Sequence, residues 1–497
     1  MTEARAMATT SDAATMATGA GRPWRGDDFP DWLPPMLVRE LRQGIQSGAF
    51  FWTFLLIQLA LVLHAAFTVL ATSGRFDGDL LRASGGFFWT LLVITVGFVI
   101  PLRGVNSIAT ERTGNNLDLV RLTRLSATRI VVGKWAALVA QAALVVASVL
   151  PYLVLRYFLG GVNVVHDLRA LGWLLVGSAV VAALAIQAST RPQRERVGLM
   201  TLVGFGGWGL LMRSMAGGPP FFSGSPGWFG LAVAALYAVL FLEAAAASIA
   251  PAAENHALRK RLLGLGCAAV VAGAGMFGYA WDFAAVAFLF GLPVLFAAVG
   301  ALCEWPVRFR RMHAAFARYG VAGRAAAAVL TPGWATGLVF IALAGGFVAA
   351  GCLAVAAPSG TPPRMFFAAP DRTLMAARIS LTAAAIVFPL PLLLFLPRLK
   401  ERATAYVAVQ AICLVVLGID AAMITTPYGR GSWSALLAPF PLAGLLRLFS
   451  DAGSATVSML GLAGLVVLAI VLAIVARPWL REMRHTQRLV ADRRAAS

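Results

Sequence analysis

The amino-acid sequence predicts an all-α, polytopic integral membrane protein of about twelve transmembrane helices with both ends cytoplasmic. Three observations carry this expectation. Of the 497 residues, 59% are hydrophobic and only 13% are charged, against about 25% charged in an ordinary soluble domain. Apolar runs of about 20 residues, long enough to cross a bilayer, recur along most of the chain. Lys and Arg concentrate in every second loop between those runs, as cytoplasmic loops do. The composition excludes a soluble enzyme, and the spacing of the runs leaves no room for a soluble domain of any size.

The same alternation explains the charge. Forty-one Lys+Arg against 22 Asp+Glu give a formal charge of +19, which in a soluble protein would point to nucleic acid. Here membrane orientation accounts for the excess, and the expected partner is the lipid bilayer, with no nucleic acid. Cys267, Cys303, Cys352 and Cys413 stand singly in apolar runs, without metal-ligand spacing or a pairing pattern, so they are expected as small core residues.

Residues 1–33 are rich in Ala, Thr, Ser, Gly and Asp. They lack the charged-then-apolar order of a signal peptide, which predicts a disordered cytoplasmic tail. From Pro34 the text changes to PPMLVRELRQGIQSGAF, where Leu37, Leu41 and Ile45 recur every fourth residue and Arg39, Glu40, Arg42 and Gln43 fill the other face. An amphipathic helix over 34–49 follows, starting after a proline pair. It either lies on the inner membrane surface with its arginines near headgroups or is an exposed lead-in helix.

The first bundle, 50–302, holds expected spans at 50–71, 86–102, 136–158, 170–189, 197–213, 228–250, 262–281 and 283–302. A basic cytoplasmic connector at 303–334 separates it from a second bundle, 335–476, with spans at 335–357, 376–397, 403–425 and 456–476. A basic tail, 477–497, closes the chain. Residues 434–453, SALLAPFPLAGLLRLFSDAG, are too short an apolar run to cross. With Pro439, Pro441 and Arg447, they are expected as a re-entrant or interfacial hairpin shielded by other helices.

Familiar catalytic patterns are missing from the sequence. His64, His166, His256, His313 and His485 lie far apart, with no H-E-x-x-H arrangement. The one Gly-Lys pair, Gly133 and Lys134, is followed by Trp135 and lacks the upstream glycine of a phosphate loop. No G-x-S-x-G elbow occurs. No catalytic residue, metal site or cofactor is therefore expected, and the chain cannot bind and hydrolyse ATP by a phosphate loop.

Between the second and third spans, residues 103–134 are too polar to cross and too long for a turn. Leu117, Val120, Leu122 and Leu125 can form one side of a short helix after Gly114 and Asn115. Ser126 to Thr128 resembles a helix break and N-cap, so the helix of the third span is expected to begin near Ala127. An interfacial hairpin with snorkelling arginines is the plainer alternative.

This stretch resembles the permease subunits of type-2 ATP-binding-cassette exporters. Those subunits carry E-x-E-x-G-T-L-E-x-L after the second span, then T-P-L-S, then a Gly-Lys pair opening the third. The present chain has Glu111-Arg112-Thr113-Gly114-Asn115-Asn116-Leu117-Asp118-Leu119, then Thr123-Arg124-Leu125-Ser126, then Gly133-Lys134. Thr113, Asn115 and Arg124 depart from the pattern. PPMLVRELRQ is likewise similar to the N-P-x-x-x-R-E-x-R opening of such permeases, where an amphipathic elbow precedes the first span. The resemblance covers about residues 34–160.

The resemblance implies that 103–134 couples to a separate ABC ATPase subunit through Glu111, Arg112, Gly114, Leu117, Val120, Leu125, Ser126, Gly133 and Lys134. Leu117, Val120 and Leu125 would be buried in the contact, Glu111 and Arg112 would orient it, and Lys134 would anchor the third span at the headgroups. It also implies an inner-membrane exporter subunit that can pair as a homodimer or heterodimer. Family members typically have six spans, so twelve would be two fused units or one expanded unit. TPGWATGLVFIALAGGFVAAG and the preceding WPVRFRRMHAAFARYG faintly echo a first span and its elbow.

Glu243 and Asp420 are acids set inside apolar runs, where charge is costly and should face protein or water. Gln58, His64, Gln141 and Gln187 can bridge helices. The glycines near 204–209, with Gly264, Gly266, Gly273 and Gly275, permit close packing. A non-transport membrane enzyme or scaffold, and an ion-coupled transporter using Glu243 or Asp420, are the competing functions.

Overall fold

A computed structural model describes residues 35–70, 78–113, 126–159, 163–193, 227–250, 256–276, 283–304, 318–355, 381–395, 405–413 and 468–479, with scattered residues between. The expected tails at 1–33 and beyond 488, most of the span at 197–213, and the hairpin at 434–453 lie outside the described residues. So do Gly114, Leu117, Val120, Leu125 and Asp420. Among the described residues every regular element is helical. Among these residues six helices are long and apolar enough to cross a membrane: Gly48–Leu70, Gly85–Glu111, Ala127–Leu159, Val164–Ser189, Gly230–Ile249 and Trp334–Ala354. The chain is thus an all-α protein built to pass the membrane several times.

The helices fall into two compact units. The first contains α1 (Pro35–Gln46), α2 (Gly48–Leu70), α3 (Gly78–Leu92), α4 (Ala109–Thr113), α5 (Ala127–Leu159) and α6 (Val164–Ser189). The leucine spacing that predicts α1 is realised, and Ser47 ends it: its hydroxyl donates to the Gly44 carbonyl at 2.7 Å and accepts from the Phe50 amide. α2 shows why the protein belongs in lipid. It buries one stripe, Phe50, Ile57, Leu61, His64 and Thr68, while Phe51, Trp52, Leu55, Leu56, Leu59, Val62 and Leu63 are exposed. A continuous exposed apolar face of that size is a liability in water and the normal state against acyl chains.

The second span runs beyond its expected end at 102. α3 passes into a π-helical stretch, Val93–Val99, then a turn at Ile100–Leu102, a 3₁₀ turn at Arg103–Asn106 and α4. Pro101 explains the widening. It cannot donate a hydrogen bond, and its ring collides with the carbonyl four residues back in an α-helix. An i→i−5 ladder, closed by the Ile100 amide on Thr95 O, relieves the crowding. The Ser189 hydroxyl at the end of α6 then accepts the amides of Ile108 and Ala109, at 2.8 and 3.0 Å, fixing where α4 begins.

α5 begins at Ala127, as the sequence predicts, although Ser126 caps it differently. Its carbonyl accepts the Arg129 amide while its hydroxyl lies 3.1 Å from the Thr128 hydroxyl. The core of this unit joins Phe50, Ile57 and Leu61 of α2 to Phe88, Trp89 and Leu92 of α3, Val145, Val149 and Leu153 of α5, and Leu171 and Leu174 of α6.

The second unit contains α7 (Gly227–Ile249), α8 (His256–Met276), α9 (Phe283–Cys303), α10 (Gly320–Leu330), α11 (Trp334–Val355) and α12 (Pro389–Phe395). α8 and α9 pack with α11 inside this unit, around Ala268, Ala297, Ala301 and Phe340. Small residues allow the approach. A Cβ on Gly264 would stand 2.9 Å from both Ala297 Cβ and Phe340 Cζ, and one on Gly275 would run into the backbone of Gly351. Gly266 and Gly273 face open space, so two of these four expected packing glycines serve that role.

Candidate functional site

Of the residues expected to couple to an ATPase, Glu111 and Lys134 meet at one end of the first unit. Glu111 comes from α4, Lys134 from the second turn of α5, and Glu40, which the sequence does not single out as a site residue, from α1. The Lys134 ammonium donates to Glu40 Oε1 at 3.0 Å and pairs with Glu111 Oε1 at 2.7 Å. The lysine side chain is 5% exposed and the two acids 18% and 23%. This differs from the expected headgroup anchor. Lys134 has no free charge to snorkel with, because α1 and α4 each bring a carboxylate to it. Glu111, expected to orient a contact with another subunit, is likewise committed within its own chain.

Glycine makes the approach possible. A Cβ on Gly133 would press on Met36 of α1, 3.0 Å from its Cγ, and one on Gly44 would strike the Gln141 side chain. α1 therefore lies directly on α5, with the polar groups closing around the contact.

A second cation braces the α1–α2 corner. Arg103, just past the π-helical stretch, donates to Gln141 Oε1 at 2.8 Å, to the Gly44 carbonyl at 3.3 Å and to the Ser47 hydroxyl. Its guanidinium also lies 5.5 Å from the Phe50 ring centroid. Guanidinium geometry suits this task, since its donors fan out in one plane and can reach several acceptors at once. Three segments distant in sequence, α1, the 103–111 stretch and the start of α5, are thereby tied together by two cations, Lys134 buried and Arg103 half-buried. Arg112 belongs to α4, and Ser126 and Gly133 stand at and just inside the start of α5.

Deeper in the unit, Gln58 and Gln141 act as the sequence predicts. Gln58 donates to Ser148 Oγ at 2.6 Å and accepts from the Tyr152 hydroxyl at 3.0 Å. His64 makes no such bridge; its ring lies between Phe87 and Phe88.

The second unit has its own charged corner. Arg261, fully buried, donates from Nη1 to the carbonyls of Val329 and Thr331 at 2.7 Å and to Thr336 Oγ1 at 3.0 Å. From Nη2 it donates to Glu304 Oε2 at 2.9 Å and to the Gly333 carbonyl at 3.0 Å. Lys260 adds a second cation to Glu304 at 2.9 Å. Burial pushes the Glu304 carboxyl up, but Lys260 and Arg261 outweigh it and hold the group below its ordinary range. Gly333 has a φ of 139°, open only to glycine at low cost. The result is an arginine braced against the corner between α10 and α11, as Arg103 is against that between α1 and α2. Sequence reasoning counts Arg261 among loop cations; its place as the last residue of Arg259-Lys260-Arg261, next to an apolar run, is the signal that could single it out.

Glu243 lies half-buried near the end of α7, with Arg259 Nη1 at 2.7 Å and His256 Nδ1 at 3.7 Å, both from the start of α8. It faces protein, as an acid in this setting should, and closes a helix-to-helix junction. Among the described residues no group of three or more His, Cys, Asp or Glu could hold a metal ion. The chain matches no family model, no curated protein and no solved structure in the comparisons made.

Proposed function

We propose that this chain is the membrane-spanning permease subunit of an ATP-driven exporter, of the type-2 ABC kind, seated in the inner membrane and driven by a separate ATPase subunit. One observation carries the reading most of the way. The three pieces of sequence that resemble such permeases, the R-E of the opening helix, the acid after the second span and the Gly-Lys of the third, bear charges that meet on one ammonium, that of Lys134. A chance likeness scattered over a hundred residues has no reason to converge. The mechanical consequence suits the role. A push on 103–126 would be delivered through Glu111 and Lys134 to α5, and through Glu40 and the Arg103 brace to α1 and α2, so several spans would move together. The twelve-span topology with both ends cytoplasmic, and pairing with a second permease, belong to the same proposal.

The test is co-purification. Replacing Leu117 and Leu125 together with Asp sets charges into an apolar contact and is expected to release the ATPase and abolish stimulated ATP turnover, with membrane insertion unchanged. A double variant that keeps its ATPase and its turnover would show that 103–134 does not couple. The pairing of Glu243 with Arg259 and His256 disfavours the ion-coupled alternative at that residue, since an acid engaged by two basic groups is poorly placed to carry ions.

A further inference from the structure

At the end of α5 remote from Lys134, a second polar group is set among aromatics. Lys134 and Arg156 are 22 residues apart on that helix, about 33 Å at 1.5 Å per residue, close to the roughly 30 Å of the hydrocarbon layer. Arg156 therefore stands at the opposite headgroup boundary. Its guanidinium lies 4.3 Å from the Phe88 ring centroid, and its Nη1 is 3.5 Å from Asp167 Oδ2, in the first turn of α6. The His64 ring of α2 lies tilted against the same Phe88, with centroids 5.8 Å apart. Among the described residues, His166 is a further ionisable neighbour, 3.7 Å from Asp167 Oδ1.

Among the described residues, this pair differs from those that lysine and the other arginines make. Lys134, Arg259, Lys260 and Arg261 meet their acids at 2.7 to 3.0 Å, within hydrogen-bond range. Arg156 Nη1 and Asp167 Oδ2, at 3.5 Å, do not bond, and among the described residues neither atom has a hydrogen-bond partner; nor has His64 Nε2. His64 and Asp167 are 6% and 5% exposed. Buried polar atoms are rarely left in that state without a reason. Here a cationic donor, an anionic acceptor and an imidazole nitrogen lie together, with no net charge if the imidazole is neutral. A purely anionic ligand would be repelled by Asp167, and a purely cationic one by Arg156. A zwitterion meets both. Around the group Phe87, Tyr157, Phe158, Val165 and Leu168 are exposed, an apolar and aromatic rim at the depth where aromatic belts form and where acyl chains begin.

We propose that Arg156, Asp167 and His64 form a site for the headgroup of a phosphoethanolamine lipid. The phosphate accepts from Arg156 and His64, the primary ammonium donates to Asp167, and the acyl chains lie on the Phe158–Leu168 rim. The inference needs only the membrane setting and is independent of the exporter reading.

The test uses the full chain in detergent, titrated with dihexanoyl phosphatidylethanolamine, phosphatidylcholine or phosphatidylglycerol, and with water-soluble O-phosphoethanolamine, reading bound adducts by native mass spectrometry. The expected result is preferential retention of the ethanolamine lipid, because choline has no N–H to donate and glycerol no cation. Asp167→Asn should remove that preference by roughly tenfold, the loss of a charge-assisted hydrogen bond, while Arg156→Lys should weaken all three lipids together. Equal retention of the three lipids by the wild-type chain would overturn the proposal without any variant having to fold. An unchanged preference in Asp167→Asn, or binding of O-phosphoethanolamine as tight as that of the lipid, would also overturn it.

Discussion

Glu40 and Glu111 share a single counter-ion, the Lys134 ammonium, at 3.0 and 2.7 Å. Two acids on one buried cation make an arrangement in which the three residues are not equivalent, and that asymmetry can be measured.

Removing the cation is expected to be the worst of the three single changes. Lys134→Met leaves two carboxylates facing each other away from water and should cost about 3–5 kcal/mol, as does stripping a buried charge of its partner. Glu40→Gln leaves the lysine paired with Glu111 and should cost about 1–2 kcal/mol. Thermal or denaturant unfolding in one detergent gives the ranking. A Lys134→Met protein as stable as wild type would show that the hub is open to water.

Arg261 should not tolerate lysine. Its two terminal nitrogens serve five acceptors on three segments, and an ammonium cannot span that fan. Arg261→Lys is expected to lose about 3 kcal/mol by leaving buried carbonyls unsatisfied, with cleavage by added protease near Thr331 rising in parallel.

The Glu304 pair should report on acid. Its carboxyl is held below the ordinary range, so its contribution is fully present above the unfolded value of about 4.3 and fades as pH falls through the lower folded value. Wild type should therefore be more stable than Glu304→Gln at neutral pH, with the gap closing below about pH 4. Melting curves of both proteins from pH 7 to pH 3 provide the check, and a gap that widens on acidification would contradict the sign.

Orientation is open to labelling. Single cysteines near Gly78, Asn163, Ser223, Ser359 and Gly431 should react with an impermeant maleimide added outside cells, and cysteines at Asn116 and Arg488 should not. Reaction at Asn116 would invert the assigned topology.

The sequence makes legible what depends on one segment at a time. Leu37, Leu41 and Ile45 announce α1 because they form a stripe within one helix, and the Ser126–Thr128 break announces α5 because a helix start is a local event. The expected spans at 50–71, 228–250 and 335–357 agree to within a few residues with Gly48–Leu70, Gly227–Ile249 and Trp334–Val355. What stays hidden depends on several segments meeting. The partners of Lys134 lie on two other helices, and Arg261 looks like any loop cation until Thr331, Gly333 and Glu304 are folded around it. The second span is misjudged for a different reason. Arg103 looks like the polar end of an apolar run, whereas the backbone stays helical through it because the lost hydrogen bond at Pro101 is absorbed by a wider turn.

That wider turn makes chain length a structural variable. A π-helical turn holds about one residue more than an α turn, so every side chain beyond Val99 is rotated by about 100° from where an unbroken α-helix would aim it. Arg103 reaches Gly44 and Ser47 by virtue of that phase. Deleting any one residue between Val93 and Val99 would leave the composition of the segment almost intact, yet remove the extra residue of the wider turn and point the arginine a quarter-turn or more away from the corner it braces. The position of α1 is thus set by a count of residues within the second span as much as by their identity.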